Sequence, residues 1–229
     1  MLVYITQGAK TALVGESCHG LPLLRLTVGQ GRWAEWQAGR YLKKLHRQHI
    51  RRGIFEEELA PLAAKYHIRP VEVLPLRLAV VEQLLSLLWS GEGDTALLRC
   101  GLGGEDAARR CAGALTRLAR YVRLDRDDPA GLRQVLMRRW GVAEGGGEPS
   151  LTVCTGTIDE DVTGTALYLT PDCHRRQTVL YRWEKAEESV SERLLAALYG
   201  AGKAKAEEIR AVSVYPCLTA GGKTTIMSR

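Results

Sequence analysis

Between residues 94 and 156 the apolar positions switch repeatedly between two rhythms. Short continuous runs at residues 95 to 98, 121 to 124 and 151 to 154 predict strands buried on both faces. Between them Ala108, Cys111, Ala112, Leu115 and Leu118, and then Leu132, Val135, Leu136 and Trp140, recur every three or four residues. That spacing predicts two helices, each with one apolar stripe. Strand, helix, strand, helix, strand is the order of a parallel sheet with crossover helices. Gly101, Gly103 and Gly104 follow the first strand. Glu105 and Asp106 open the helix after it, where negative charge suits the helix dipole.

The flanking segments read differently. Residues 2 to 5, 12 to 14 and 23 to 28 are apolar or alternating runs separated by turn formers, and predict a β-meander paired as hairpins. A helix is predicted over residues 33 to 46, with Ala34, Ala38, Tyr41, Leu42 and Leu45 on one side. Ile50, Ile54 and Phe55 mark a strand, residues 56 to 66 a helix, and residues 71 to 73 another strand. Residues 74 to 89 form a helix apolar on nearly all sides, expected to be buried. Residues 50 to 89 thus share the rhythm of residues 94 to 156, which predicts one continuous doubly wound sheet with residues 90 to 93 as its switch. Beyond Gly156, residues 165 to 169 and 178 to 183 predict an antiparallel pair. Ser189 and Glu192 have capping-box spacing before a helix at 190 to 199, closed by Gly200. A short charged helix at 203 to 209 and a last hairpin from 212 to 215 and 223 to 226 complete the chain.

Composition narrows the class. With 229 residues, 45% of them apolar and 25% charged, the chain holds one large α/β domain or two small ones. The longest apolar run, residues 78 to 89, is interrupted by Glu82 and Gln83 and is too short to span a bilayer, so no membrane partner is expected. Residues 1 to 5 carry no basic n-region, which argues against a signal peptide. Six cysteines without C-x-x-C spacing read as reduced thiols, which places the protein in the cytoplasm.

Gly101, Gly103 and Gly104 between a strand and a helix, with Asp125 ending the next strand, resemble a Rossmann-type dinucleotide-binding half. The resemblance covers residues 94 to 156. Its third fingerprint position falls on Asp106 rather than Gly or Ala, which makes the site degenerate. What the resemblance implies is a nucleotide, NAD(P) or another, with the backbone of the three glycines against phosphate, Arg99 supplying charge and Asp125 binding ribose hydroxyls. A fold of this type without its cofactor is the alternative. The expected architecture is α/β: an N-terminal β-meander (residues 1 to 30), a mainly parallel, Rossmann-like three-layer core (31 to 156), and an antiparallel C-terminal extension (157 to 229). The leading function is binding of a nucleotide or small anionic ligand.

The remaining chemistry is thinner. Residues 40 to 52 carry Arg40, Lys43, Lys44, Arg47, Arg51 and Arg52, and the net charge is +6. Such a face suits phosphates, so a nucleic-acid-associated or scaffold protein is the alternative function. A solvated helix face balanced by Glu56, Glu57 and Glu58 is the preferred reading of this stretch. Gly222, Lys223 and Thr224 lack the preceding glycine and following helix of a P-loop. Asp159, Glu160 and Asp161 read as an acidic loop rather than a cation site, so no metal is expected. The five histidines are scattered, and no catalytic set is legible.

Overall fold

The computed structural model of the chain describes residues 1–91, 93–125, 131–140, 147–158, 162, 164–173, 177–187 and 189–216. Asp159 to Asp161, Gly222 to Thr224 and the strand expected at 223 to 226 lie outside these residues. The described residues form a mixed α/β protein whose two larger sheets are mainly parallel and carry helices, as a three-layer α/β fold does. They divide into two compact units, residues 1–72 with 193–205, and residues 73–192 with 206–229. The division falls between Glu72 and Val73, with Arg193–Lys205 returning to the first unit. Residues 50 to 89 and 94 to 156 therefore do not build one continuous sheet.

In the first unit the strands are β1 (Leu2–Gln7), β2 (Ala12–Cys18), β3 (Leu21–Val28), β4 (Arg52–Phe55) and β5 (Arg69–Pro70), in the order β2-β3-β1-β4-β5. Only β2 runs antiparallel, against β3; β1 pairs parallel with both β3 and β4. The meander expectation is corrected here. Strand β1 has Val3 and Ile5 fully buried and takes the centre of the sheet. Strand β2 carries Gly15 and Glu16, is largely exposed, and is pushed to the edge, where a polar strand leaves the fewest groups unsatisfied. β2 itself serves as the return that lets β3 run parallel to β1.

Helix α1 (Arg32–Arg47) crosses from β3 to β4 and buries Ala34, Ala38, Leu42 and Leu45. Burial of Leu42 and Leu45 contributes about 1.5–3 kcal/mol each. They join Val3, Ile5, Leu26, Ile50, Phe55 and Ile68 in one apolar core. A turn of 3-10 helix at Glu57–Leu59 leads into α2 (Ala60–Lys65). The strand expected at 71 to 73 lies two residues earlier, at β5.

In the second unit the expected helix at 74 to 89 is two helices, α3 (Leu74–Ala79) and α4 (Val81–Leu88), broken at Val80. The strands β6 (Thr95–Cys100), β7 (Tyr121–Leu124), β8 (Leu151–Thr155) and β9 (Ala166–Leu169) form an all-parallel sheet in the order β7-β6-β8-β9. Helix α5 (Glu105–Leu115) joins β6 to β7, and α6 (Leu132–Trp140) follows β7. The antiparallel pairing of residues 165 to 169 with 178 to 183 is corrected: β9 adds to β8, and β10 (Gln177–Trp183) pairs with β11 (Ile209–Pro216). The burial patterns give the reason. All four residues of β9 are buried, as a strand covered on both faces requires, whereas β10 alternates strictly between buried and exposed. The helix near the C-terminus, α7 (Glu192–Gly200), belongs to the first unit from Arg193 onward and begins at Glu192 rather than beside a Ser189 cap. Among the described residues no helix is long and apolar enough to cross a membrane.

Candidate functional site

Strand β6 ends at Cys100, and the chain turns through Gly101, Gly103 and Gly104 into α5, whose N-cap is Gly104. The parallel direction of β6, β7 and β8 puts this turn at the carboxyl edge of its sheet, where ligands sit in open α/β folds. The turn is interlocked with the segment that follows β8. Gly101 N donates to Thr155 O at 2.8 Å, Thr157 N donates to Leu102 O at 3.0 Å, and Gly104 N donates to Gly101 O at 3.1 Å. A Cβ on Gly101 would run into the Thr157 carbonyl, and one on Gly104 would lie 2.5 Å from Gly156 N. Gly156, with φ 72°, approaches Gly101 O and Gly104 N as closely in return. Gly103, at φ 74°, faces open space.

Arg99 and Asp125 end neighbouring strands and meet: Arg99 Nε donates to Asp125 Oδ2 at 2.8 Å. The guanidinium expected to attract phosphate and the acid expected to bind ribose therefore engage each other. Asp106, in the first turn of α5, is almost fully exposed and lies 3.9 Å from Arg109 Nη1. The five residues singled out in the sequence are thus brought to one sheet edge, two glycines in contact with the chain's own backbone and the two charges in contact with each other.

The first unit has a turn of the same kind that is open. Its sheet carries a cleft of about 970 Å³ at the carboxyl edge, between the turn after β1 and the turn from β3 into α1. Gly8 N donates to Val28 O at 3.0 Å and ties the two turns together. Gly29 N donates to Thr11 Oγ1 at 3.1 Å, and Thr11 Oγ1 donates to Ala34 O at 3.2 Å, so one hydroxyl fixes both the turn and the start of the helix. A Cβ on Gly29 would stand 3.3 Å from the Ala34 Cβ, which accounts for two small residues there. Gly31 caps α1 at φ 91°, a conformation suited to glycine, and no side chain caps the helix. A Cβ on Gly31 would meet nothing within 4 Å. Glu35, Glu58 and Lys65 supply the charges around the cleft.

Sequence reading missed this place although a signal was present. Gly29-Gln30-Gly31-Arg32-Trp33-Ala34 has the G-x-G-x-x-A spacing, follows a strand and opens a helix. Glu56, Glu57 and Glu58 follow the next parallel strand. Taking β3 as the last arm of a meander hid the turn's position at a parallel edge.

The most perturbed ionisable groups lie elsewhere and are structural. Arg77 is fully buried on α3. Its five N–H groups go to Glu192 Oε1 at 2.7 Å, Glu192 Oε2 at 2.8 Å and the carbonyls of Tyr168, Cys173 and Gln177. Tyr181 donates to Glu192 Oε1 at 2.9 Å. Burial alone would lower the Arg77 pKa; its hydrogen bonds to Glu192 and the charge of that carboxylate outweigh burial and raise it. Burial, followed by the charge of Glu192, raises the Tyr181 pKa. Every donor of the guanidinium is used within the protein. Among the described residues no group of three or more His, Cys, Asp or Glu is arranged to hold a metal ion. No protein-family model matches the chain, and neither a curated protein nor a solved structure shows significant similarity to it.

Proposed function

We propose that the protein binds a nucleotide, NAD(P) or another, or a comparable small phosphorylated ligand, and that the cleft at the carboxyl edge of the first sheet holds it. The observation that carries this reading is the open Gly29–Gly31 turn, which feeds the uncapped N-terminus of a 16-residue helix into a cleft. Uncapped amides at a helix start are hydrogen-bond donors without partners inside the helix, and the dipole favours an anion there. In this arrangement the amides at the start of α1 hold phosphate, Lys65 adds positive charge, and Glu58 accepts from sugar hydroxyls. The five described cysteines form no disulfide, which suits a reducing compartment such as the cytoplasm. No catalytic step is assigned.

The test is thermal unfolding with ATP, NAD, NADP and inorganic phosphate at millimolar concentration. A ligand that binds only the folded state raises the midpoint, by about 2.7 kcal/mol of stability at a hundredfold excess over Kd. The expected result is a rise with at least one nucleotide that Glu58→Ala reduces and Arg99→Ala leaves intact. No rise with any of the four ligands, or a rise abolished by Arg99→Ala, overturns the reading.

A further inference from the structure

The outer face of α1 combines aromatic rings and positive charge in one stripe. Trp33, Trp36, Arg40, Lys43, Lys44 and Arg47 recur at helical spacing on the side opposite Ala34, Ala38, Leu42 and Leu45, which are buried. Two tryptophans on a helix are ordinarily its buried anchor. Here they are 68% and 50% exposed and stack on each other, with ring centres 4.8 Å apart and planes 23° apart. The Arg40 guanidinium lies 5.1 Å from the Trp36 ring centre. A shallow hollow of about 750 Å³ runs from Trp36 along the basic residues to Arg47. Past the end of the helix, Arg51, Arg52 and Arg69 border a second hollow.

The acidic residues that were expected to balance this face do not share it. Glu56, Glu57 and Glu58 follow the carboxyl end of β4, whereas Arg51 and Arg52 stand at its amino end. A four-residue strand separates Glu56 from Arg52 by about 13 Å, more than the screening length of about 8 Å at physiological salt, whereas Glu58 lines the cleft at the start of α1. Glu57 is also engaged by Arg193, at 3.7 Å.

We propose that this face of α1 binds single-stranded nucleic acid, with bases stacking on Trp33 and Trp36 and the backbone following Arg40, Lys43, Lys44 and Arg47. Exposed aromatics alongside a basic track match what single strands offer, unstacked bases and a regular line of phosphates. The stripe from Trp33 to Arg47 is about 21 Å long, enough for a few nucleotides. A duplex keeps its bases stacked inside and gives the tryptophans nothing to receive. A bilayer needs a broad apolar helix face, and the apolar face of α1 is buried in the core. This inference is argued from side chains on the outer face of α1, whereas the nucleotide cleft uses backbone amides at the helix start together with Lys65 and Glu58.

The full-length protein is titrated into a labelled oligothymidylate of about 15 nucleotides, and binding is followed by fluorescence anisotropy and tryptophan quenching. Four neutralised phosphates predict a log–log salt slope of about −3, or roughly a 50-fold loss of affinity between about 50 and 200 mM salt. Trp33→Ala with Trp36→Ala weakens binding at least about 30-fold without changing the slope. Trp33→Phe with Trp36→Phe retains the rings and restores most of the affinity. Lys44→Ala flattens the slope by about 0.7, and Glu58→Ala has no effect, which separates this result from the nucleotide test. Any of three results overturns the proposal: no salt-dependent binding at about 50 mM salt, equal binding by the tryptophan-to-alanine variant, or equal affinity for phosphatidylserine vesicles or polyglutamate.

Discussion

The two units meet the same local problem, a strand that turns through glycines into a helix at the carboxyl edge of a parallel sheet, and solve it in opposite ways. In the first unit Gly29 and Gly31 leave the helix start uncovered above a cleft. In the second, Gly101 and Gly104 admit the backbone of residues 155 to 157, so that two turns interlock. The interiors differ as well. The first unit is centred on an apolar cluster, the second contains a fully bonded guanidinium. Glycine after a strand therefore has two physical meanings. It makes room for something outside the chain, or for another part of the chain, and only the neighbouring loop decides which.

The largest effect that separates the units is expected at Arg77. Removing it takes both guanidinium bonds from Glu192, which keeps the Tyr181 hydroxyl, and takes a donor from each of three carbonyls in a buried place, a change that typically costs about 3–5 kcal/mol. Arg77→Met lowers the unfolding free energy of the second unit, read from urea denaturation, by that amount. Arg77→Lys recovers only part of the loss, because an ammonium has three donors for five acceptor positions. A loss below about 1 kcal/mol would mean that the cluster is solvated and that the two interiors are alike.

The glycines come next. Gly104→Ala forces a Cβ to within 2.5–2.7 Å of the backbone at Gly156 and Thr155, which cannot move without opening the interlock. A cost of about 2–4 kcal/mol is expected, as for overpacking a rigid site. Gly31→Ala meets no atom, so its cost is that of the positive φ alone, about 1–2 kcal/mol. Equal costs in urea unfolding would break the comparison between a locked turn and an open one.

Legibility in the sequence follows the same division. Strands β6, β7 and β8 and helix α5 were readable because continuous apolar runs and a three-to-four spacing are local signals. Strand neighbours were not, because pairing depends on residues far apart. The parallel pairing of β1 with β3 is invisible in either segment alone. For β9 and β10 the local pattern does not decide: Ala166–Leu169 is a continuous apolar run, but Val179, Leu180 and Tyr181 are also consecutive, and the alternation of Gln177–Trp183 shows only in its burial. At the glycine turns the residue type and the sheet edge of Gly101, Gly103 and Gly104 were legible. No sign was present that Thr155 and Thr157 would reach across to them.

Alkaline pH sharpens the contrast more gently. Burial pushes the Cys111 thiol up to about 12 from 9.0, and burial with the charge of Glu192 raises Tyr181 from 10.0; both groups lie in the second unit. A group whose folded pKa is raised contributes its full stability below the unfolded value and loses it as pH rises toward the folded one. The contribution of these two groups is therefore constant up to about pH 9 and then falls by about 1.4 kcal/mol per pH unit for Cys111, with Tyr181 adding its share above about pH 10. Cys111→Ala and Tyr181→Phe each flatten the slope of urea midpoint against pH. A slope unchanged by both variants would mean that neither group resists ionisation in the folded state.

The smallest effect is expected at Arg99 and Asp125. Their side chains are 21% and 41% exposed, so water screens the pair and a double-mutant cycle should return less than about 1 kcal/mol of coupling. The value of this pair is in what it does to ligands. If the carboxyl edge of the second sheet were the phosphate site, Asp125→Ala would remove the competing carboxylate from Arg99, and a nucleotide would stabilise the variant more than the parent protein. If the ligand sits instead over Gly29 and Gly31, the nucleotide-induced rise in midpoint is the same in Asp125→Ala, Arg99→Ala and the parent. The expected outcome is the second, because Gly101 and Gly104 have already given their close approach to Thr155, Gly156 and Thr157, and a phosphate would have to displace backbone to reach them.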